Sequence, residues 1–114
     1  MAVEAPARKG RPAVELVEQS GRFLLNVIGS NHTPMFRHFG RGFTLEENAF
    51  AGLDTAPTPY GTLIRTCIAH LGCVVTQRVL VGDHDLYVAR VECATTPAAG
   101  QTPYLHIRNS GFTY

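Results

Sequence analysis

Between Leu63 and Cys93 the chain reads as two runs rich in Val, Ile, Leu and Tyr, parted by Gly82-Asp83-His84, and this stretch limits what the remainder can form. Two such runs around a short Gly-Asp-His-Asp break are the pattern of a long β-hairpin, with strands expected over 63–81 and 85–95. Side chains alternate along a strand. Ala69, Leu71, Cys73, Val75, Val79 and Val81 are therefore expected on one face, with His70, Thr76 and Arg78 on the other. On the returning strand Tyr87, Ala89, Val91 and Cys93 alternate against Leu86, Val88, Arg90 and Glu92. A hairpin buried on one face is marginal by itself in water, so flanking strands and helices must pack on it.

With 114 residues, the chain is expected to be one domain over 1–114, burying roughly 65% of its unfolded surface. A composition 45% hydrophobic and 17% charged fits a soluble globular class, and a net charge of +1 gives no electrostatic footprint for nucleic acid. The sequence has neither a run of about 18 apolar residues nor a signal-peptide pattern, which points to a cytoplasmic protein with no membrane partner. Cys67, Cys73 and Cys93 lack any Cys-x-x-Cys spacing and read as buried, reduced core thiols.

Taken in order, residues 1–11 read as a basic lead-in, disordered over 1–6. Pro12 suits a first helical position, Ala13, Leu16 and Val17 recur at helical spacing, and Gly21 stops the helix. A buried strand is expected over 22–28, with Asn26 as its polar interior residue. Thr33-Pro34 opens a helix carrying Met35, Phe36 and Phe39 and ending at Gly40 or Gly42. Thr44-Leu-Glu-Glu47 has capping-box spacing and predicts a second short helix to about Gly52. Residues 54–61 read as a proline-rich loop, Thr95 to Gly100 as a linker, and 103–107 as a last strand. The sum is an α+β, mainly β domain: a small antiparallel barrel with short covering helices.

Few residues suggest chemistry. Lys9-Gly10-Arg11 precedes a helix start, where unpaired N–H groups and the helix dipole favour an anion; a solvated basic tail is the other reading. The five histidines show no metal-ligand spacing, so no metal site is expected. His84, in the hairpin break, places a group that can change charge near neutral pH at a sheet end, or is a plain exposed turn residue. Asn26 reads either as a ligand contact or as a satisfied core amide. Nucleophile elbow, catalytic cysteine and Walker loop are all missing from the sequence, which removes support for hydrolase and kinase chemistry.

The segments Ser20-Gly-Arg-Phe-Leu-Leu-Asn-Val-Ile28, Phe36-Arg-His-Phe39, Phe50-Ala-Gly52 and Gly82-Asp-His-Asp-Leu-Tyr-Val-Ala-Arg-Val91 resemble the flavin reductase-like family with an FMN-binding split barrel. His32-Thr-Pro-Met-Phe-Arg-His-Phe39 with Asn48-Ala-Phe-Ala-Gly-Leu53 is closer still to the C-terminal flavin reductase domain of cyanobacterial diflavin flavoproteins. The resemblance implies FMN, or FAD in its place, as cofactor and NAD(P)H as co-substrate, with electrons passing through the flavin to an acceptor of flavodiiron type, in a homodimer. It implies that Lys9 and Arg11 meet the flavin phosphate, that His84 contacts flavin or nicotinamide, and that His38, Phe39 and Asn26 belong to the cofactor site. Family members begin with further strands bearing a Thr/Ser-rich loop, and this chain starts after them, so the barrel is expected to be N-terminally incomplete. A cofactor-free reductase-like remnant, acting as a binding or dimerisation module, is the second reading.

Overall fold

The structure is a computed structural model that describes residues 2–8, 12–30, 33–44 and 46–104. Its elements are β1 (Ala2–Arg8), α1 (Pro12–Ser20), β2 (Arg22–Val27), α2 (Thr33–Gly40), β3 (Thr55–Pro57), β4 (Thr62–Ile64), β5 (Ala69–Val81) and β6 (His84–Ala94). β1, β6, β5 and β2 form a four-stranded sheet in that order, antiparallel throughout, and β3 pairs with β4. The described residues are thus mostly β, in small antiparallel sheets with two helices. Among the described residues no helix is long and apolar enough to cross a membrane.

The expected hairpin forms as β5 and β6 around Gly82, whose φ of 59° is one that glycine adopts freely at the first position of a two-residue turn. Its ladder is irregular at two places. Val75 pairs with Ala89 but Gln77 with Val88, leaving Thr76 as an extra residue on β5, and its hydroxyl donates to the Val88 carbonyl at 3.1 Å. Gly72 pairs with Cys93 but Cys73 with Val91, leaving Glu92 extra on β6.

Each extra residue shifts the alternation by one. Beyond Thr76, Arg78 sits opposite Tyr87, on the face that holds Asp85, Tyr87 and Ala89. The expectation of Val79 and Val81 on the core face is corrected accordingly: Val81 is exposed, as is Leu80 at 66%. Beyond Glu92, Cys93 turns away from the core and is exposed, while Cys73 is buried and Cys67 half-buried. Burial pushes the Cys73 thiol pKa up, as for an inert core cysteine.

Residues 2–8 correct the expectation of an irregular lead-in. They pair with β6 from Ala2 opposite Arg90 to Arg8 opposite His84. Ala-Val-Glu-Ala-Pro-Ala-Arg alternates with period two, and Pro6 is tolerated because β1 is the outermost strand of this sheet. Thr55–Pro57, where a loop was expected, pairs with Thr62–Ile64 as a short hairpin, and the strand expected over 63–81 is broken at 65–68, so that only 69–81 belongs to the long hairpin. Residues 46–52 form turns and bends and not a helix. The capping-box contact is nevertheless made, the Thr44 N–H donating to Glu47 Oε1 at 3.1 Å. Of the strand expected over 103–107, Pro103 bridges Gly29 and the Tyr104 N–H donates to the Ile28 carbonyl; residues 105–107 lie outside the described residues.

α1 ends as expected at Gly21, with φ 68° and its N–H on the Val17 carbonyl at 2.8 Å. Its rotation differs from the expected stripe: Val14 is buried, Ala13 is exposed and Leu16 is 56% exposed. A polar network sets that rotation. Glu18 Oε1 accepts from the Tyr87 hydroxyl at 2.6 Å and pairs with Arg78 at 2.8 Å, and Arg78 also donates to the buried Asp85 at 2.6 and 3.1 Å.

The β3–β4 hairpin is pinned differently. A Cβ built on Gly72 would fall 2.6 Å from both the Tyr60 ring and Cys93 Sγ, so the ring lies directly on the glycine backbone. The Tyr60 hydroxyl donates to Glu92 at 3.1 Å.

Two outcomes follow from this packing. Gly72→Ala forces Tyr60 off the sheet and should cost about 1–3 kcal/mol in urea unfolding, as overpacking does; a variant as stable as wild type would contradict the contact. Burial and the hydrogen bond to Glu18 push the Tyr87 phenol up to about 12. A folded-state pKa above the unfolded value gives stability that is complete below about pH 10 and is lost as pH rises through the folded value. Tyr87→Phe should therefore lower the melting temperature at pH 8 and flatten its fall above pH 10.

Candidate functional site

Two clefts flank α1. The first, about 580 Å³, is lined by Ala13, Leu16, Gln19 and Ser20 of α1, by Arg22, Leu24 and Asn26 of β2, and by Phe50, Tyr60 and Thr62. The second, about 560 Å³, is bounded by Pro12, Ala13 and Leu16 on one side and by Phe39, Phe43, Ala49 and Phe50 on the other. Ala13, Leu16 and Phe50 wall both. Each volume suits a small-molecule site. The first is edged by amide, hydroxyl and guanidinium groups; the second is mainly apolar, with the rings of Phe39, Phe43 and Phe50 and a polar edge at Thr44, Glu47 and Asn48.

The aromatic wall is built from α2 and the turns after it. Pro34 sits in the first turn of α2, and Phe39 in its last turn meets Phe50 at 5.7 Å and Phe43 at 6.2 Å between ring centroids. His38 stands edge-on to Phe39 at 4.8 Å, and its Nε2–H donates to the Ala49 carbonyl at 2.7 Å, which ties α2 to the loop. Arg41 lies 4.0 Å over the Phe43 ring and pairs with Glu47 at 3.4 Å. The Thr44 N–H and the Arg41 charge hold the Glu47 carboxyl below its usual range.

The residues singled out in the sequence divide into three groups. Phe39 lines the second cleft and His38 packs behind it. Asn26 lines the first, but its carboxamide also clamps β4 to β2, Nδ2 donating to the Thr62 carbonyl at 3.1 Å and Oδ1 accepting from the Ile64 N–H at 2.9 Å. His84 lines neither cleft. It is exposed at the hairpin tip, its Nδ1–H donating to the Asp83 carboxylate at 2.7 Å. Lys9 and Arg11 lie outside the described residues. Of the described residues on either side of them, Arg8 pairs with His84 in the ladder and Pro12 lines the second cleft. Among the described residues no three His, Cys, Asp or Glu side chains gather as metal ligands.

Sequence reasoning missed Leu16, Phe43, Phe50 and Tyr60 as cleft walls, and the Glu18–Arg78–Asp85–Tyr87 network. Asp85 was recoverable: carried back two residues, the alternation through Ala89 and Tyr87 places its carboxylate inward.

The family described as flavin reductase like domain matches residues 6–113. This chain belongs to that family. Over 108 residues it is 32% identical to the putative diflavin flavoprotein A 6 of Nostoc sp., which is 93% of this chain and 19% of that protein. It is 31% identical over 96 residues to the flavin-dependent monooxygenase reductase subunit HsaB of Mycobacterium tuberculosis, covering 82% of this chain and 50% of that one. The chain therefore spans about a fifth of the diflavin flavoproteins and half of the reductase subunit. Among solved structures, the NADH:FAD oxidoreductase SgcE6 of Streptomyces globisporus superposes with a TM-score of 0.81 at 20% identity, over 90% of this chain and 62% of that one. That likeness is one of fold. The resemblance carried by the Phe36–Phe39 and Gly82–Val91 segments thus agrees with the family match.

Asn26 joins the fold to the first cleft. Asn26→Ala strands a backbone donor and a backbone acceptor together, and should cost about 2 kcal/mol in denaturant unfolding. A loss under about 0.5 kcal/mol, typical of an uninvolved position, would show that the carboxamide does not hold β4.

Proposed function

We propose that this chain is a flavin-binding NAD(P)H:flavin oxidoreductase-type domain that passes electrons from the nicotinamide through FMN, or FAD, to an acceptor. The observation that carries the reading is a juxtaposition. An apolar cleft of about 560 Å³ bearing three phenylalanine rings opens beside Pro12 at the N-terminal end of α1, Arg8 at the end of β1 pairs with His84, and Lys9-Gly10-Arg11 stand between Arg8 and Pro12 in the sequence. A planar heteroaromatic ring suits the aromatic walls, while a phosphate suits cations and free N–H groups at a helix start. The names of the relatives, a monooxygenase reductase subunit and an NADH:FAD oxidoreductase, support the same reading.

The bound flavin would supply the redox chemistry, accepting a hydride from the nicotinamide and releasing electrons onward. The chain's own part is binding and orientation. Lys9 and Arg11 neutralise the phosphate, Phe39 gives the ring an apolar surface with His38 bracing it from behind, and Asn26 holds the wall of the neighbouring cleft. His84 meets flavin or nicotinamide from the hairpin tip. No side chain has to act as acid, base or nucleophile, in keeping with the absence of such a motif from the sequence. On this reading the strands belong to a split barrel, the domain works as a homodimer in the cytoplasm, and the acceptor is a flavodiiron-type or oxygenase partner.

Flavin titration followed by absorbance near 450 nm, roughly the flavin band, tests the reading, because a specific site retains its cofactor. Replacing Lys9 and Arg11 together by Ala should weaken FMN binding by about 2–4 kcal/mol, the worth of two charge-assisted contacts. Unchanged affinity in the double variant would remove both from the site. A wild-type chain that takes up no flavin would favour the cofactor-free binding module.

A further inference from the structure

Along α1, apolar attachment to the sheet is thin: Val14 is buried, Val17 only half-buried, and Leu16 stands 56% exposed. The helix nevertheless supplies the wall common to both clefts. Its stance must come from elsewhere, and the polar network provides it. Glu18 Oε1 is held by the Arg78 guanidinium at 2.8 Å and by the Tyr87 hydroxyl at 2.6 Å. The same guanidinium turns its other edge to Asp85, Nε at 3.1 Å and the second terminal nitrogen at 2.6 Å from Oδ2. The Asp85 side chain is 1% exposed and follows directly on His84. Strand alternation turns Asp85 inward and His84 outward, so pinning one fixes the direction of the other.

We propose that Arg78 is a positioning residue that sets two parts of the site together: through Glu18 the cleft wall on α1, and through Asp85 the strand end that presents His84. The proposal rests on the flavin reading above. A guanidinium is planar and rigid, so the angle between its two carboxylate partners is fixed by covalent geometry. A lysine ammonium has the charge without the fork and cannot keep both partners in place. Glu18 meets Arg78 and Tyr87 from α1 and is no part of the hairpin, so the Glu18 arm can be cut while the Arg78 contact with Asp85 stays.

The test compares Glu18→Ala, Glu18→Gln and Arg78→Lys for FMN affinity, for NAD(P)H turnover at saturating FMN, and for amide hydrogen exchange along α1. Glu18→Ala should weaken FMN binding about tenfold, the equivalent of one charge-assisted hydrogen bond, and leave saturated turnover unchanged. Glu18→Gln retains an acceptor for Tyr87 and Arg78 and should restore affinity to within about threefold of wild type, since neutral hydrogen bonds are the weaker kind. Arg78→Lys should lower affinity and turnover together. Faster exchange along α1 with wild-type affinity in both Glu18→Ala and Arg78→Lys would reduce the network to a structural role and overturn the proposal. So would an Arg78→Lys variant that loses affinity but keeps full turnover. If wild type binds no flavin, the flavin reading fails by itself; unchanged α1 exchange in Arg78→Lys would then overturn the positioning claim too.

Discussion

The ladder between β5 and β6 carries one surplus residue on each strand, and the positions of those two residues govern what every neighbouring element can touch. Thr76 on β5 and Glu92 on β6 cancel in count, so the strands still meet cleanly at Gly82. They do not cancel in effect, because each flips the alternation only beyond its own position. The first delivers Arg78 to the face where α1 docks. The second delivers Cys93 to the opposite surface, beside Tyr60, and leaves room over Gly72 for the aromatic ring that holds the β3–β4 hairpin. A straight ladder would leave Glu18 without its guanidinium.

Polar and apolar docking divide the labour between the two sides of the sheet. On one side a helix with a single buried valine is oriented by a carboxylate pair around one arginine. Of the three charged groups only Asp85 is buried, so removing Arg78 leaves that carboxylate uncompensated, whereas the solvent-screened pair between Arg78 and Glu18 contributes orientation more than stability. On the other side Tyr60 sits on a glycine, and Asn26 substitutes for a strand neighbour by giving and taking one backbone hydrogen bond each. The clefts lie between these two kinds of attachment, bounded by α1 on one flank and by the Asn26-clamped hairpin on the other.

How much of this could be read from the residues depends on what they report. The β5–β6 hairpin, β2, both helices and the stop at Gly21 follow from periodicity and turn chemistry, and they were legible. The bulges were not: nothing local in Val75-Thr76-Gln77 or Glu92-Cys93 marks a surplus residue, since its cause is the fit of distant elements. The misplacement of Val79, Val81 and Cys93 comes from that alone. Similarly, Thr44–Glu47 forms its capping contact while the turns beyond it take Phe50 toward Phe39, a tertiary preference that overrides the local helix signal. Of the cleft walls, Phe39 and Asn26 were legible as residue types, with His38 packed behind Phe39, while His84 stands outside both clefts. The shape of the site was not, because the exposed Leu16 and the half-buried Phe50 at the partition between the clefts look like ordinary surface and loop positions until α1 is rotated into place.

The pairing of β1 with β6 sets an order on how the chain comes into being. Ala2 finds its partner in Arg90, whereas β5 and β6 are joined by a two-residue turn and need no long loop closed. On the ribosome, then, β1 precedes its partner: β6 is made only after both helices and β5, and until then β1 cannot be seated against it. Its alternating alanines and valine, broken by Glu4 and Pro6, suit that wait, since a charge and a proline in so short a segment oppose premature pairing with other chains.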